Sequence, residues 1–361
     1  VGTFLSGGLD SSAVTAYFSK ISNKPVHTFS MDFEGKQVKE REFAKLIADK
    51  YENIFHYKIL KPEKALEELN NLLPFLDEPM ADSAIIPTYI LSKMAKSLDI
   101  KVVLSGAGGD ELFGGYSRHY PRKRDLFIKS TPKLPFYIWK IIGKVFGPKI
   151  GHYASLTYNQ GSSYGIDTSG IRLNTLQELL RVDNDFQTLM TLLCQKFSSI
   201  KLLEKKFNFE YSRMITDTQN YLIDNILSIT DKASMAASIE ARVPIIDYEL
   251  VEQIFSHLPK PMINKNFNDA KLAFKKSVMN NIPNKILNRE KVGFNAPIES
   301  WIKIGNPEIK NEIFDLHPII KNILNQKKLK SIWSNKKLRS FASENIYNIF
   351  VLNKWLKFHY S

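Results

Sequence analysis

Two short stretches of this chain set glycines, hydroxyls and acids where phosphate chemistry can use them. The first is Ser6-Gly7-Gly8-Leu9-Asp10-Ser11-Ser12, after the apolar run Val1 to Leu5 and before Ala13-Val14-Thr15-Ala16-Tyr17-Phe18. That order reads strand, glycine turn, helix. Adjacent glycines let the backbone approach a ligand closely. The following helix aims free N–H groups and its positive dipole end at the turn, and together they form an anion cradle suited to phosphate. The serine hydroxyls can donate to phosphate oxygens, and Asp10 can hold a magnesium ion that offsets carboxylate–phosphate repulsion. The same residues also fit a plain βα turn with a serine N-cap.

The second stretch is Val102-Val103-Leu104-Ser105-Gly106-Ala107-Gly108-Gly109-Asp110-Glu111-Leu112-Phe113-Gly114-Gly115-Tyr116. Again a buried-type strand runs into a glycine-rich turn carrying an acid. Taken alone it also reads as a solvated loop with an Asp-Glu pair. In an open parallel sheet, ligands bind beyond the carboxyl ends of the strands. Both turns are therefore predicted to face one crevice, with Asp10 and Asp110 sharing magnesium.

The elements around these turns alternate. Val26 to Ser30, Ile54 to Ile59 and Val102 to Leu104 read as strands. Lys39 to Lys50, a helix opened by Pro62, and Ser83 to Ser97 read as helices. Repeated βα units predict a parallel sheet covered on both faces. After Tyr116 helical periodicity dominates, as at Leu176, Leu179 and Leu180, at Leu222, Ile226 and Ile229, and at Val251, Ile254 and Phe255. The expected division is an α/β nucleotide-binding core over residues 1–116 and a mainly helical continuation over 117–361. Tyr120 to Gly170, rich in Lys, Pro, Gly, Ser and Tyr, is expected to be irregular or partly mobile. Val1 falls inside a predicted strand, so more chain is expected before it.

The first turn, Ser-Gly-Gly-x-Asp-Ser after a strand, resembles the signature loop of the ATP pyrophosphatases. With Asp77-Glu78-Pro79 and Asp110-Glu111-Leu112-Phe113-Gly114-Gly115-Tyr116, the resemblance narrows to the synthetase domain of glutamine-dependent asparagine synthetases. It continues through Asp231-Lys232-Ala233-Ser234-Met235-Ala236, Ile239 to Asp247, and Arg289 to Pro297 with Trp301. The resemblance implies an adenine nucleotide alpha hydrolase-like, Rossmann-like core. It implies ATP and Mg2+, a small-molecule carboxylate, ammonia or another amine, and release of AMP and pyrophosphate. That family has an N-terminal glutaminase domain with a catalytic cysteine as first residue. These residues match only the ammonia-using half, and a glutaminase domain or subunit is an expected partner.

By resemblance, Phe4 and Met31 sit against adenine, although each also suits core packing. Ser105 and Gly106 contact the nucleoside, while Ser6, Gly7, Gly8, Ser11 and Ser12 hold the departing pyrophosphate. Asp10 and Asp110 bind magnesium, and Asp110 is counted with the catalytic residues. Lys271 is the expected catalytic cation, with Lys275 and Lys276 as competitors in Asp269-Ala270-Lys271-Leu272-Ala273-Phe274-Lys275. Arg242 pairs with a carboxylate such as Glu240 or faces substrate, and Asp247 is expected to cap the next helix. His27, His56 and His119 have no metal-ligand spacing.

One position departs from the pattern. Asparagine synthetases usually carry Glu where this chain has Ala107. Adenylation can survive that change, but the amidation step or its nucleophile is thrown into question. Relatives altered here include β-lactam and carbapenam synthetases, lasso-peptide cyclases and enzymes amidating sugar carboxylates. The β-lactam type uses a tyrosine–acid pair, and Asp224 falls near the acid's place. The expected function is an ATP-dependent amide-forming ligase with aspartate as default substrate. Its alternatives are a related amidotransferase or cyclase on another carboxylate, or a non-catalytic nucleotide-binding homologue.

Composition agrees with this reading. The chain has 361 residues, 43% hydrophobic and 24% charged, within the range of globular proteins. No apolar run approaches the ~20 residues that span a bilayer, and a secretory signal is not expected from these residues. Cys194 is the only cysteine, so no intrachain disulfide or cysteine metal cluster forms, and its apolar neighbours predict a buried thiol. A cytoplasmic location is expected. The net charge of +13 is spread along the chain. It therefore predicts a solvated basic surface favouring anionic substrates more than a nucleic-acid face. A tRNA-modifying enzyme with the same loop is the reading that charge favours and the Asp-Glu-Leu-Phe-Gly-Gly-Tyr motif opposes. Trp333, Phe341, Tyr347, Phe350, Leu352 and Trp355 form either a packed helical face or a docking face.

Overall fold

The computed structural model describes residues 1–34, 40–123, 125, 130, 138, 141–142, 145–156, 160–181, 183–257, 270–289, 293 and 295–360. The chain forms two compact units, Val1–Tyr120 with Asp217–Pro297, and Pro121–Thr216 with Ile298–Ser361.

The first unit is built on a parallel sheet. Its strands are β1 (Gly2–Phe4), β2 (His27–Phe33), β3 (Ile54–Leu60), β4 (Val102–Leu104) and β5 (Glu240–Arg242), in the order β3-β2-β1-β4-β5. Strand β2 is buried from Thr28 to Phe33, as a parallel strand covered on both faces must be. It pairs with β1 at Gly2↔His27 and with β3 at His27↔Ile54. The first three strands step outward from β1, and β4 returns to its other side, pairing Gly2↔Val103. The strand order therefore reverses between β1 and β4, where an open sheet leaves a crevice.

Helices α1 (Leu9–Ile21), α2 (Glu40–Lys50), α3 (Pro62–Leu72) and α4 (Ile85–Lys96) connect these strands. Pro62 stands at the first turn of α3, its fixed φ matching the helix. Leu5, Ala13, Ala16, Ala44 and Ile47 form one core with Ile245, Phe274 and Val278. Residues far along the chain thus pack beneath the first turn. A fully buried Leu or Ile contributes about 1.5–3 kcal/mol here, enough to hold the segment carrying Lys271.

Asp247 caps as expected, its Oδ1 accepting from Glu249 N at 3.1 Å at the start of helix Tyr248–His257. Glu240 accepts from Arg242 Nε at 2.7 Å on the exposed strand β5.

The second unit is helical. Leu156, Ile166, Leu173, Phe186 and Met190 form one of its cores. Two expectations are corrected. Within Tyr120 to Gly170, Pro148–Ser155 and Gln160–Ser169 are helices. There Leu156 and Ile166 turn inward to the core, so apolar spacing outweighs the loop-like composition. Residues 124, 126–129, 131–137, 139–140, 143–144 and 157–159 of that stretch lie outside the described residues. Cys194 is half-buried, because helix Asp183–Lys196 turns Leu192 outward and leaves the thiol at the margin. The C-terminal aromatics form a packed face. Tyr347 and Phe350 on helix Ser343–His359 are fully buried and Trp333 is buried, with Phe341, Leu352 and Trp355 half-buried.

Among the described residues, no helix is long and apolar enough to cross a membrane.

Candidate functional site

The first turn leaves β1 at Leu5, whose N–H donates to Phe29 O at 2.8 Å. Gly7 follows with φ +70°, and a methyl there would lie 2.5 Å from Ala44 N, so only glycine fits. Helix α1 then starts with Gly8 at its N-cap, which has no side chain to cap it. The serine N-cap reading therefore does not hold at this end. Ser6 Oγ and Ser11 Oγ bond each other at 3.0 Å, and Ser6 Oγ also accepts from Gly8 N at 3.3 Å.

The second turn leaves β4, and Ser105 N donates to Arg242 O of β5 at 2.8 Å. Gly108 (φ +86°) caps helix α5 (Gly109–Phe113). The turns touch, since a methyl on Gly106 would lie 2.5 Å from Ser11 N and one on Gly109 2.5 Å from Asp10 Oδ1. Tyr120 Oη donates to Gly114 O at 2.8 Å and fixes the far end.

Lys271 joins the two acids. Its Nζ lies 2.5 Å from Asp10 Oδ2 and 2.6 Å from Asp110 Oδ1. The lysine is 7% exposed and holds αL backbone (φ 61°) at the start of helix Leu272–Val278. A non-glycine residue in that conformation costs about 1–3 kcal/mol, and here it aims the ammonium between the carboxylates. Burial alone lowers its pKa, but attraction to Asp10 and Asp110 outweighs burial and raises it, so the lysine stays charged. Of the two competitors, Lys275 borders the cavity and Lys276 is exposed. Asp269 lies outside the described residues, as do Glu290, Lys291, Val292 and Phe294 of the Arg289 motif.

A cavity of about 650 Å3 opens here, within the range of small-molecule sites. Phe4, Ser6, Gly8, Asp10 and Ser11 line it from the first turn, and Ser105, Gly106 and Asp110 from the second, together with Lys271. Gly7, Ser12 and Met31 are buried and stand outside that lining. Among the described residues, the hydroxyl of Ser12 has no hydrogen-bond partner.

A magnesium ion fits this donor set. The Asp10 and Asp110 carboxylates already converge on one cation, the Lys271 ammonium. Among the described residues, no group of three or more His, Cys, Asp or Glu can hold a metal.

Several lining residues escaped the sequence reading. Glu111 is buried, accepts from Tyr116 Oη at 2.6 Å, and is pushed up to about 7 by burial and by Asp110. Tyr116, also on the wall, is raised by burial and by Glu111 and stays protonated. The signal for this pair was the spacing of Glu and Tyr in the glycine motif. Arg289 lays its guanidinium 4.1 Å from the Phe43 ring centre and donates to Ser6 O at 3.4 Å. Burial lowers its pKa. Tyr221 and Asp82 carry no local sequence signal. Of the altered or re-examined positions, Ala107 lines the cavity, whereas Asp224 and Arg242 do not. Lys232 binds Asp77 and Glu78, so two motifs meet through an exposed ion pair.

The histidines divide. His27 Nδ1 and His56 Nε2 lie 2.9 Å apart. His119 is buried, with Nε2 2.7 Å from Asp217 Oδ2. Only the Nε2–H tautomer or the imidazolium can donate there, since an ionised carboxylate only accepts.

Comparison with known proteins agrees with this geometry. A family model described as asparagine synthase matches residues 1–357. Asparagine synthetase [glutamine-hydrolyzing] 1 of Bacillus subtilis is 31% identical over 312 residues, 84% of this chain and 47% of that protein. A putative asparagine synthetase [glutamine-hydrolyzing] of Mycobacterium tuberculosis is 30% identical over 319 residues, 84% of this chain and 46% of its own. A putative asparagine synthetase [glutamine-hydrolyzing] 2 of Methanocaldococcus jannaschii is 43% identical over 135 residues, 37% of this chain and 26% of its own. The chain spans about half the length of the Bacillus and Mycobacterium relatives. With the family model running from β1 into the last described helix, this chain belongs to the asparagine synthase family.

Proposed function

We propose that this chain carries the synthetase activity of an AMP-forming amide ligase. The observation that supports it is the convergence of Asp10, Asp110 and Lys271 where two glycine turns meet at a sheet crevice. In this reading the nucleoside of ATP lies against Phe4, Ser105 and Gly106, with Met31 packed in the core outside the lining. Ser6, Gly8 and Ser11 on the cavity wall hold the pyrophosphate portion, with Gly7 shaping the turn behind them, and Asp10 and Asp110 hold magnesium. When bound, magnesium neutralises phosphate charge. The cradle holds a substrate carboxylate and the α-phosphate together, converting their encounter into a local reaction. Lys271, released from the acids, offsets charge on the leaving pyrophosphate. The carboxylate oxygen bonds to the α-phosphorus as its bond to the bridging oxygen breaks. An amine then displaces AMP from the acyl carbon and loses a proton.

The named relatives are glutamine-hydrolysing, so ammonia supplied by a glutaminase domain or subunit, with aspartate as acceptor, is the first version to test. A cytoplasmic setting fits these substrates. Ala107 on the cavity wall favours a second version, a related enzyme acting on another carboxylate or amine. The experiment is pyrophosphate release from MgATP with aspartate, with and without ammonium, followed by product analysis. Asparagine in step with pyrophosphate supports the first version. Pyrophosphate without asparagine supports the second. ATP binding with no release across a panel of carboxylates overturns both.

A further inference from the structure

After the nucleotide residues are assigned, the remaining cavity wall includes two tyrosines, Tyr116 and Tyr221. Their rings meet edge to face, 5.9 Å apart at 86°. The Arg118 guanidinium carbon stands 3.8 Å from the centre of Tyr116 and 4.5 Å from that of Tyr221. Arg118 is outside the cavity lining, behind the two rings. What fixes it is Asp217. Arg118 Nε donates to Asp217 Oδ2 at 2.9 Å, and Nη2 lies 2.9 Å from the same oxygen. Asp217 is fully buried, and His119 Nε2 donates to it at 2.7 Å. The His119 ring also meets Tyr116 edge-on at 5.3 Å.

We infer that Arg118, anchored by Asp217 and His119, is a positioning residue that sets the Tyr116–Tyr221 wall against which the carboxylate substrate packs. Three physical facts carry this. A guanidinium is planar, so one face or edge can serve a ring while its N–H fork serves a carboxylate. A cation near two aromatic faces, desolvated by burial, is worth more than a surface contact. A buried carboxylate with two cationic or N–H partners has little freedom to move. Tyr116 in turn donates to Glu111, so the anchor reaches the residue beside Asp110.

This inference rests on the ligase reading for its kinetic arm, and a second arm is independent of it. The variants are Arg118→Lys, which keeps a charge for Asp217 but has no plane for the rings, and Arg118→Met, which removes both. Both are expected to raise KM for the carboxylate at least ~10-fold, because displacement of a positioning contact is costly. KM for ATP should stay within about 2-fold, since the glycine turns are untouched. Arg118→Met combined with Tyr221→Leu should cost less than the sum of the two changes. In the independent arm, carbon-13 tyrosine spectra of the full chain, assigned with Tyr116→Phe and Tyr221→Phe, should show both ring signals shifted or broadened in Arg118→Lys. Arg118→Met can also lose stability, so Arg118→Lys with retained ATP binding is the deciding protein. Equal changes in both KM values, full additivity, or unmoved ring signals overturn the inference. If the wild type turns over no carboxylate, the ligase reading fails and the ring signals alone decide the clamp.

Discussion

The two glycine turns are built from similar residues, yet their glycines serve different neighbours. In the first turn, a methyl on Gly8 would meet only Ser6 Oγ, at 3.3 Å, so that space stands open toward the cavity. In the second turn, methyls on Gly106, Gly109 and Gly115 would strike Ser11, Asp10 and the Asp110–Lys271 pair. The first turn leaves room for a ligand, and the second leaves room for the first turn and the lysine. An acid beside glycines is therefore not one motif repeated. It is a cradle and the packing partner that presses an acid and a cation into it.

The largest expected effect comes from removing what joins the turns. Lys271→Met leaves Asp10 and Asp110 facing each other without their shared cation, which breaks a mostly buried ion group and costs about 3 kcal/mol. Pyrophosphate release should fall by about 10²–10³-fold, the loss typical of a charge-stabilising donor. If Asp10 and Asp110 hold magnesium, the ion should raise the melting temperature of the variant more than that of the wild type, because only the folded acids converge on it. The sign with pH also follows. A lysine raised above its ordinary 10.5 contributes stabilisation that is fully present below that pH and lost only as pH climbs through the raised value. The gap between wild type and variant should then be flat through neutrality. A gap that closes near neutral pH would show that Lys271 is not the charged partner.

Gly115→Ala is next. Its methyl would overlap Asp110 Oδ1 and Lys271 Cε. Overpacking of this kind costs about 1–3 kcal/mol, and displacing the pair by an ångström should slow pyrophosphate release by about 10²-fold. If activity survives with only stability lost, the second turn is scaffolding alone and the contrast between the turns collapses.

These contrasts also mark what a linear reading can reach. The strand–turn–helix order around Gly7 and Gly108 was legible because local chemistry enforces it. Apolar runs make strands, and φ > 0 selects glycine. The acids were legible for the same reason, being tied to their turns by adjacency. Lys271 was reachable only through family resemblance, because its place depends on Phe274 and Val278 packing into the core under α1. Arg118, Asp217 and Tyr221 were missed altogether. Their partnership spans 98 residues between His119 and Asp217 and leaves no periodicity to read. Cys194 failed in the opposite direction. Apolar neighbours in sequence pointed inward on paper, while the helix turned Leu192 out.

The smallest effect sharpens the comparison most. Gly8 has φ −75°, open to any residue, and its added methyl would touch only the Ser6 hydroxyl at 3.3 Å. Gly8→Ala should therefore change stability by less than ~1 kcal/mol, because reduced unfolded-state freedom offsets the slight crowding. Gly7→Ala, at φ +70° and 2.5 Å from Ala44 N, should lose more than that. If the space over Gly8 belongs to phosphate, Gly8→Ala should nonetheless raise KM for ATP about 10-fold, since a methyl blocks close backbone approach. Thermal melts and ATP titrations of the two variants separate these effects. A Gly8→Ala protein with both wild-type stability and wild-type KM for ATP would mean that the first turn is an ordinary βα connection, and the nucleotide would have to be sought elsewhere in the cavity.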